Sequence, residues 1–236
     1  MAKRSELKTK QNRKPLPSLQ PPKTVDNFRR REIRPHTDNH AAYLNSIRDN
    51  TVTIGVGKAG TGKTYMAVGA AVKLLLDPAS GFKRLALTKP VMEAGESLGF
   101  LPGELASKLG PHMRPLTDAL QEFLSFREIA EMTNSGVIEM SPLAYMRGRT
   151  FKNTLMILDE AQNATYKQLK MFLTRLGHGS KMIVNGDSDQ SDINASGLVE
   201  AHTKLSGMMD SAIITFEKQD IMRHGLVAEI LTRLER

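Results

Sequence analysis

The chain has no cysteine and no tryptophan, and only four tyrosines and eight phenylalanines among its 236 residues. The absence of cysteine excludes disulfides and thiolate metal sites and fits the reducing cytoplasm, which is the location we predict. The sequence also lacks an apolar run of about 18 residues, so we expect no membrane span. Its charged N-terminus has no apolar core of the kind that a signal peptide requires. Few aromatic rings are available for stacking on nucleic-acid bases.

Positive charge is concentrated at the N-terminus. Residues 1–35 contain eleven Lys or Arg and three Asp or Glu, an excess of +8 that equals the net charge of the whole chain. The same segment is rich in proline, a composition typical of an extended or disordered tail. Two roles fit such a tail, binding nucleic acid through released counterions or simply keeping the protein in solution. We therefore predict a basic tail over residues 1–35 and a folded domain over residues 36–236.

The most specific pattern in the chain is a complete G-x-x-x-x-G-K-T sequence. It follows a strand-like run that ends at Val56 and precedes a helix-like run over residues 65–76. This strand–loop–helix setting is what a phosphate-binding loop requires, so a nucleoside triphosphate is the predicted ligand. The predicted nucleotide-binding residues are those of the loop itself: Gly57, Lys58, Ala59, Gly60, Thr61, Gly62, Lys63 and Thr64.

The residue types of this loop indicate its chemistry. Glycines let the backbone turn sharply and bring its N–H groups against phosphate oxygens without an intervening Cβ. The helix that follows directs its unpaired N–H groups and the positive end of its dipole at the same charge. Lys63 is the predicted catalytic cation on the β- and γ-phosphates, and Thr64 is predicted to offer its hydroxyl to Mg²⁺.

A second motif, D-E-A-Q at residues 159–162, directly follows four apolar residues at 155–158. A carboxylate at the end of a buried strand is costly unless a cation beside the phosphates compensates its charge. We therefore predict that Asp159 is a Mg²⁺-associated carboxylate. Glu160 is the predicted catalytic residue that orients or activates the attacking water.

A third motif, G-D-S-D-Q at residues 186–190, follows the next strand-like run. Its glycine, aspartates and serine are also common in plain polar turns. As the third element in this order, however, it predicts that the amide of Gln190 contacts the γ-phosphate and takes part in catalysis.

Apolar patterns along the chain alternate between strands and helices. The predicted strands cover residues 51–56, 84–88, 137–140, 155–158, 182–185 and 212–216. The predicted helices cover residues 41–50, 65–76, 115–132, 169–176 and 227–234, whereas residues 98–110 are predicted to form a loop. This alternation predicts an α/β fold with a doubly wound parallel sheet and helices on both faces. The phosphate-binding loop then belongs at the carboxyl end of its strand.

The order of the three motifs resembles the motor core of superfamily 1 helicases, a RecA-like P-loop NTPase domain. Further segments resemble the PhoH family of phosphate-starvation-inducible ATPases: residues 87–103, 142–150 and 170–175, and the pair Arg223-His224. The resemblance covers about residues 35–234 and leaves the N-terminal tail outside. It implies Mg²⁺-dependent hydrolysis of ATP and assembly into hexamers.

The chain departs from the family pattern at three positions. Lys89 stands where the family usually has arginine, which keeps the charge but loses the bidentate fork. Gly225 stands where proline is common. His40, three residues before Tyr43, stands where the family has a glutamine that reads adenine through its amide. The resemblance therefore implies that His40 contacts the base, although a histidine can make only one of the two amide hydrogen bonds.

Superfamily 1 enzymes bind ATP between two motor domains, and the second domain contributes an arginine. This chain has room for one such domain, so we expect a neighbouring subunit to complete the site within a closed ring. Without such an arginine the rate falls by on the order of 10³-fold. Arg223 is the predicted catalytic arginine, acting in trans, and the alternative is a helix-end arginine paired with Asp220.

Three further basic residues, Lys89, Arg147 and Arg149, are candidate contacts to the phosphate backbone of RNA or single-stranded DNA. The same residues also fit a supporting role at the nucleotide site or at a subunit interface. Acidic residues outside the motifs do not cluster as the metal site of a nuclease would.

Two functions fit these patterns. The first is an oligomeric ATPase that couples hydrolysis to binding or unwinding of RNA or single-stranded DNA. The second is a nucleotide-dependent interaction module that exchanges partners without helicase activity. A small-molecule kinase would need an arginine-rich lid after the second motif, and residues 161–179 do not resemble one. A GTPase is disfavoured because the sequence has no N-K-x-D motif.

Overall fold

The computed structural model of the chain describes residues 30–91, 104–187 and 196–222, together with Leu226 and Arg233. For residues 104–111 only the backbone is described. Several predictions from the sequence lie outside these ranges: residues 1–29 of the basic tail, residues 92–103 of the family-like segment, Gln190, the pair Arg223-His224, Gly225 and most of the last helix.

Six parallel strands form one sheet. They are β1 (Val52–Gly57), β2 (Arg84–Lys89), β3 (Ile138–Pro142), β4 (Thr154–Leu158), β5 (Lys181–Gly186) and β6 (Ser211–Phe216). Their order across the sheet is β3-β2-β4-β5-β1-β6, and every pair is parallel. Because β5 lies between β1 and β4 and all three are parallel, the carboxyl ends of these strands lie side by side.

The apolar runs explain why the central strands form. Every residue of β1 and of β4 is buried, as expected for strands of a parallel sheet that is covered on both faces. All six predicted strands are present, and each boundary lies within two residues of the predicted one. The prediction of a doubly wound α/β fold is thereby confirmed.

Six α-helices lie within residues 30–91, 104–187 and 196–222. They are α1 (Asp38–Asp49), α2 (Lys63–Leu76), α3 (Glu104–Gln121), α4 (Phe126–Asn134), α5 (Tyr166–Leu173) and α6 (Gly197–Leu205). Four of them, α1 to α4, pack on one face of the sheet around a core that includes Tyr43 and Leu116. The other two pack on the opposite face around Phe172 and Leu198. No helix in the described ranges has the length and apolar character to cross a lipid bilayer.

The observed helices differ from the predicted ones at three places. The predicted loop over residues 98–110 gives way to α3 from Glu104 onward, even though α3 contains Gly110 and Pro111. The predicted helix over residues 115–132 is two helices, because a capping box of Ser125 and Glu128 starts α4 afresh. Helix α6 was not predicted at all.

Two phenylalanines provide a test of the described packing. Phe172 on α5 is 0% exposed, whereas Phe126 at the start of α4 is 77% exposed. We expect Phe172→Ala to lower the free energy of unfolding by about 3–5 kcal/mol, because it leaves a cavity in the core. Phe126→Ala removes the same atoms from the surface and should change it by less than about 0.5 kcal/mol. Urea unfolding measures both values, and equal losses would contradict the packing.

Candidate active site

The loop between β1 and α2 has the backbone that its glycines allow. Gly60 and Gly62 adopt φ angles of 88° and 76°, in the left-handed region that residues with a Cβ rarely occupy. A Cβ at Gly57 would lie 2.6 Å from the Cβ of Phe216 on β6, so the close approach of β6 also requires glycine there. No side chain caps the start of α2, which leaves its first N–H groups available to an anion.

Lys63 is buried at the start of α2 and is held by the loop itself. Its Nζ donates to the carbonyl oxygens of Gly57 at 2.6 Å and Lys58 at 2.8 Å, and to the hydroxyl of Thr61 at 3.1 Å. Burial lowers the pKa of Lys63, and the carboxylate of Asp187 partly opposes this shift. Contact with a phosphate therefore requires the ammonium group to exchange some of these hydrogen bonds.

Thr64 and Asp159 are in direct contact across the site. The hydroxyl of Thr64 donates to Oδ1 of Asp159 at 2.8 Å, and the N–H of Asp159 donates to the carbonyl of Thr88 on β2. Burial raises the pKa of Asp159 to about 6, and the charge of Glu160 adds to this effect against the opposing Thr64 hydrogen bond. The carboxyl group is thus held in a place that disfavours its own charge.

This pair of oxygen donors fits Mg²⁺, which prefers one or two carboxylates together with substrate phosphates to a cage made of protein ligands. The described residues contain no group of three or more His, Cys, Asp or Glu that could hold a metal ion by themselves. Thr64 and Asp159 are the residues that would hold such an ion, and their role at a metal stays a prediction.

Gln162 joins the second motif to the third. Its Nε2 donates to Oε2 of Glu160 at 2.5 Å, and its Oε1 accepts from the N–H of Asp187 at 2.9 Å. The N–H of Ala59 in the loop in turn donates to Oδ2 of Asp187 at 2.9 Å. One chain of hydrogen bonds thus connects the phosphate-binding loop to Glu160. No role was predicted for Gln162 or Asp187, although they lie within the second and third motifs.

A cavity of about 490 Å³ lies where the three motifs meet. Besides the motif residues, α3 contributes a wall that the sequence did not identify. The lining residues are Ala59, Gly60, Gly62, Lys63, Thr64, Tyr65, Pro115, Asp118, Ala119, Glu122, Asp159, Glu160, Gln162, Asn185, Gly186 and Asp187.

His40 lies behind the loop. It is 0% exposed and does not line the cavity among the described residues. Its Nδ1 accepts from the N–H of His36 at 3.3 Å, and its Nε2 lies 3.0 Å from the carbonyl oxygen of Thr61. Both ring nitrogens are therefore used within the chain. This geometry favours a role in supporting the loop and does not favour the expected contact with a base.

The three predicted nucleic-acid contacts have different surroundings. Lys89 ends β2 and lies close enough to Asp159 for its charge to lower the pKa of that carboxyl. Arg149 forms a two-bond ion pair with Glu139, at 2.5 and 2.7 Å. Arg147 is exposed. Lys89 is thus placed beside the nucleotide site, Arg149 is engaged by the protein itself, and Arg147 is open to solvent.

The segment that leads to Arg223 is fixed to the loop. The N–H of Met222 donates to the carbonyl of Gly60 at 2.9 Å. Asp220, the alternative partner of Arg223, already accepts from Thr37 at 2.5 Å and Asn39 at 2.8 Å. Burial raises the pKa of Asp220, but these hydrogen bonds outweigh it and hold the pKa below its ordinary value. Asp220 therefore has its partners without Arg223.

A phosphate-binding loop at the carboxyl end of a parallel strand, facing a buried aspartate two strands away, defines a P-loop nucleoside triphosphatase fold. Within this class the chain belongs to the PhoH-like protein family, whose sequence model matches residues 32–235. The resemblance that the motifs indicated is confirmed.

Relatives with this name are similar over most of the chain. The PhoH-like protein of Bacillus subtilis (strain 168) is 43% identical over 239 residues, which cover 100% of this chain and 72% of that protein. A PhoH-like protein of Synechocystis sp. is 49% identical over 207 residues, 86% of this chain and 62% of its own length. Protein PhoH of Escherichia coli (strain K12) is 41% identical over 194 residues, 80% of this chain and 54% of its own length. The chain thus spans between 54% and 72% of these relatives.

Solved structures share the fold. The large terminase of the thermophilic bacteriophage D6E matches with a TM-score of 0.57 and 14% identity, over 85% of this chain and 50% of the terminase. Its complex with ADP matches with a TM-score of 0.54 and 13% identity, over 84% of this chain and 49% of the terminase. At this identity the likeness shows a common fold.

The raised pKa of Asp159 predicts how stability changes with pH. Its ordinary value is 3.8 and its value in the fold is about 6, so between these values the folded protein binds more protons than the unfolded chain. The stability of the ligand-free protein should therefore fall as the pH rises from about 4 to about 6, by on the order of 3 kcal/mol from this group.

Asp159→Asn isolates this contribution, because asparagine cannot ionise. Urea unfolding without Mg²⁺ should show the variant and the natural protein equally stable near pH 4 and the variant more stable above pH 6. A difference between the two proteins that does not change with pH would contradict the shifted pKa.

Proposed function

We propose that the chain is a Mg²⁺-dependent ATPase that works in an oligomer and couples hydrolysis to the binding of RNA or single-stranded DNA. The observation that carries this proposal is the convergence of all three motifs on one cavity, joined by hydrogen bonds from the loop to Glu160. We also place the protein in the cytoplasm, in keeping with its lack of cysteine.

The phosphates of ATP bind against the loop and the start of α2, where backbone N–H groups and the helix dipole favour negative charge. Lys63 adds a point charge at the β- and γ-phosphates. Thr64 and Asp159 hold the Mg²⁺ ion, which when bound neutralises charge on the phosphate oxygens. The large terminase that shares the fold has been solved with ADP, which supports a nucleotide in this cavity.

Glu160 is the residue that orients or activates the attacking water. Its side chain is exposed at the cavity and is held by the amide of Gln162, at 2.5 Å. Because Gln162 also accepts from the backbone of Asp187, a change at the third motif reaches Glu160 through a single side chain. Gln190, in the same motif, is proposed to contact the γ-phosphate.

The charge of the cavity supports assembly. Among the described residues that line it, Lys63 is the only cation, against five carboxylates: Asp118, Glu122, Asp159, Glu160 and Asp187. Negative charge that develops on the transferred phosphoryl group needs further positive charge. We propose that Arg223 of a neighbouring subunit supplies it, in a ring that we propose to be a hexamer.

Nucleic acid is the proposed partner because of the tail. The excess of +8 over residues 1–35 suits a phosphate backbone, and Arg147 is exposed to solvent. Binding through such charges weakens steeply as the salt concentration rises.

Glu160→Gln tests hydrolysis. The variant should bind ATP as the natural protein does, because the loop is untouched, and its turnover should fall by at least about 100-fold, because the water loses its base. Equilibrium binding of a fluorescent ATP analogue and a phosphate-release assay measure the two effects. Loss of binding together with turnover would show that Glu160 holds the fold or the ion instead.

The role of nucleic acid is tested by measuring ATP turnover with and without single-stranded RNA and DNA at several salt concentrations, with Lys63→Ala as the inactive control. We expect turnover to rise with at least one of the two strands and to lose this response at high salt. The interaction module would be favoured if neither RNA nor DNA changes the rate, while binding partners or assembly differ between the ATP and ADP states.

Mixing experiments test donation in trans. Arg223→Ala should abolish turnover, and mixing it with Glu160→Gln should restore part of the activity, because some interfaces then combine an intact Glu160 with an intact Arg223. Size-exclusion chromatography must show that both variants still assemble. Assembled mixtures with no recovered turnover would contradict the proposal.

A further inference from the structure

One buried side chain at the site has an unused donor. Among the described residues, three buried side-chain polar atoms have no hydrogen-bond partner: Oγ1 of Thr53, Oγ1 of Thr88 and Nδ2 of Asn185. Of the three residues, only Asn185 lines the nucleotide cavity. Asn185 is 0% exposed, and a buried N–H that has lost its water without gaining a partner is unfavourable.

Tyr43 fixes which end of the amide is unused. Its hydroxyl donates to Oδ1 of Asn185. Burial raises the pKa of Tyr43 well above its ordinary value, so the hydroxyl keeps its proton and remains a donor. If the amide were reversed, Nδ2 would donate to the tyrosine oxygen, and both the hydroxyl proton and Oδ1 would lack partners. The observed orientation leaves a single group unpaired, and that group is the N–H₂ donor.

The contact between Tyr43 and Asn185 requires a glycine on the neighbouring strand, which costs strand stability. Gly55 stands directly opposite Asn185 in the register of β1 and β5. A Cβ on Gly55 would lie 2.9 Å from Cε2 of Tyr43 and 3.1 Å from Oδ1 of Asn185. Glycine inside a strand weakens it and commonly marks a close approach of other groups. Here it leaves room for the ring of Tyr43 and the amide of Asn185 between the strand and α1.

The location of Asn185 suits a contact with the terminal phosphate. Strand β5 lies between β1, which leads into the phosphate-binding loop, and β4, which ends next to Asp159. The cavity already has five carboxylates, so another anion there would repel phosphate. A neutral amide N–H₂ group donates hydrogen bonds without adding negative charge.

We propose that Asn185 is a further catalytic residue, whose Nδ2 donates a hydrogen bond to the terminal phosphate of bound ATP or to the water that attacks it. Tyr43 is a positioning residue that holds the amide in this orientation. The inference rests on the proposed hydrolysis of ATP and adds a donor from β5 that the three motifs do not include.

A double substitution tests the proposal without leaving a new unpaired group. Tyr43→Phe with Asn185→Leu replaces both hydrogen-bonding partners by apolar groups of similar shape, which folded proteins tolerate well. The matched control is Thr53→Val, which removes a buried unpaired hydroxyl that does not line the cavity. Each full-length protein is measured for ATP turnover, for the affinities of ADP and ATPγS, and for Tm.

We expect the double variant to lose turnover by about 100-fold, the effect of removing one well-placed donor to a transition state. Its affinity for ADP should stay unchanged, while its preference for ATPγS over ADP should disappear, because only ATPγS has the terminal phosphate group. Tyr43→Phe alone should cause a smaller loss of turnover and no further loss in the Asn185→Leu background. Thr53→Val should behave as the natural protein.

Two results would overturn the proposal. One is a double variant with natural turnover and an unchanged preference for ATPγS. The other is a parallel fall in Tm and in the affinities of ADP and ATPγS, which would give Asn185 a purely structural role. If the natural protein itself shows no turnover, the proposed hydrolysis has failed, and the ratio of ATPγS to ADP affinity then decides for or against Asn185 by itself.

Discussion

Burial of the Asp159 carboxylate is the constraint on which the site depends. The four apolar residues before it form a strand covered on both faces, and this strand places the carboxylate where its charge is disfavoured, with a pKa raised to about 6. Within the part of the chain that the structure describes, the hydroxyl of Thr64 donates to it. Lys89 and Lys63 compensate part of its charge, and a buried carboxylate of this kind favours a further cation beside it.

The sequence predicted the strands well because their signal is local. A continuous apolar run has to be buried on both faces, and β4 and β5 follow this rule. Helices were predicted less well where tertiary packing overrides local preference. Helix α3 tolerates Gly110 and Pro111, and its later turns bury Leu116 and Leu120 against the sheet. Helix α6 is no shorter than α5, but its buried residues Gly197, Leu198 and Ala201 include only one large apolar side chain, so its apolar period is weak.

Site residues could be predicted where a single local motif specifies their position and chemistry, as for the phosphate-binding loop and Asp159. It was not predictable where function depends on which strands are neighbours. The contacts of Gln162 and Asn185 exist because β5 lies between β1 and β4, an order that no local pattern encodes. His40 shows the opposite case. The family resemblance implied that it contacts the base, whereas its ring nitrogens bond to the backbone of His36 and Thr61.

Three consecutive loop residues are held by three different parts of the chain. The N–H of Ala59 is bound by Asp187 after β5, the carbonyl of Gly60 by Met222, and the carbonyl of Thr61 lies against His40 on α1. The loop thus gains its shape when the domain folds, and a nucleotide that enters does not have to order it. Binding then loses less conformational entropy than it would at a free glycine-rich loop. A substitution in α1 or near Met222 can consequently weaken nucleotide affinity from a distance, by returning that freedom to the loop.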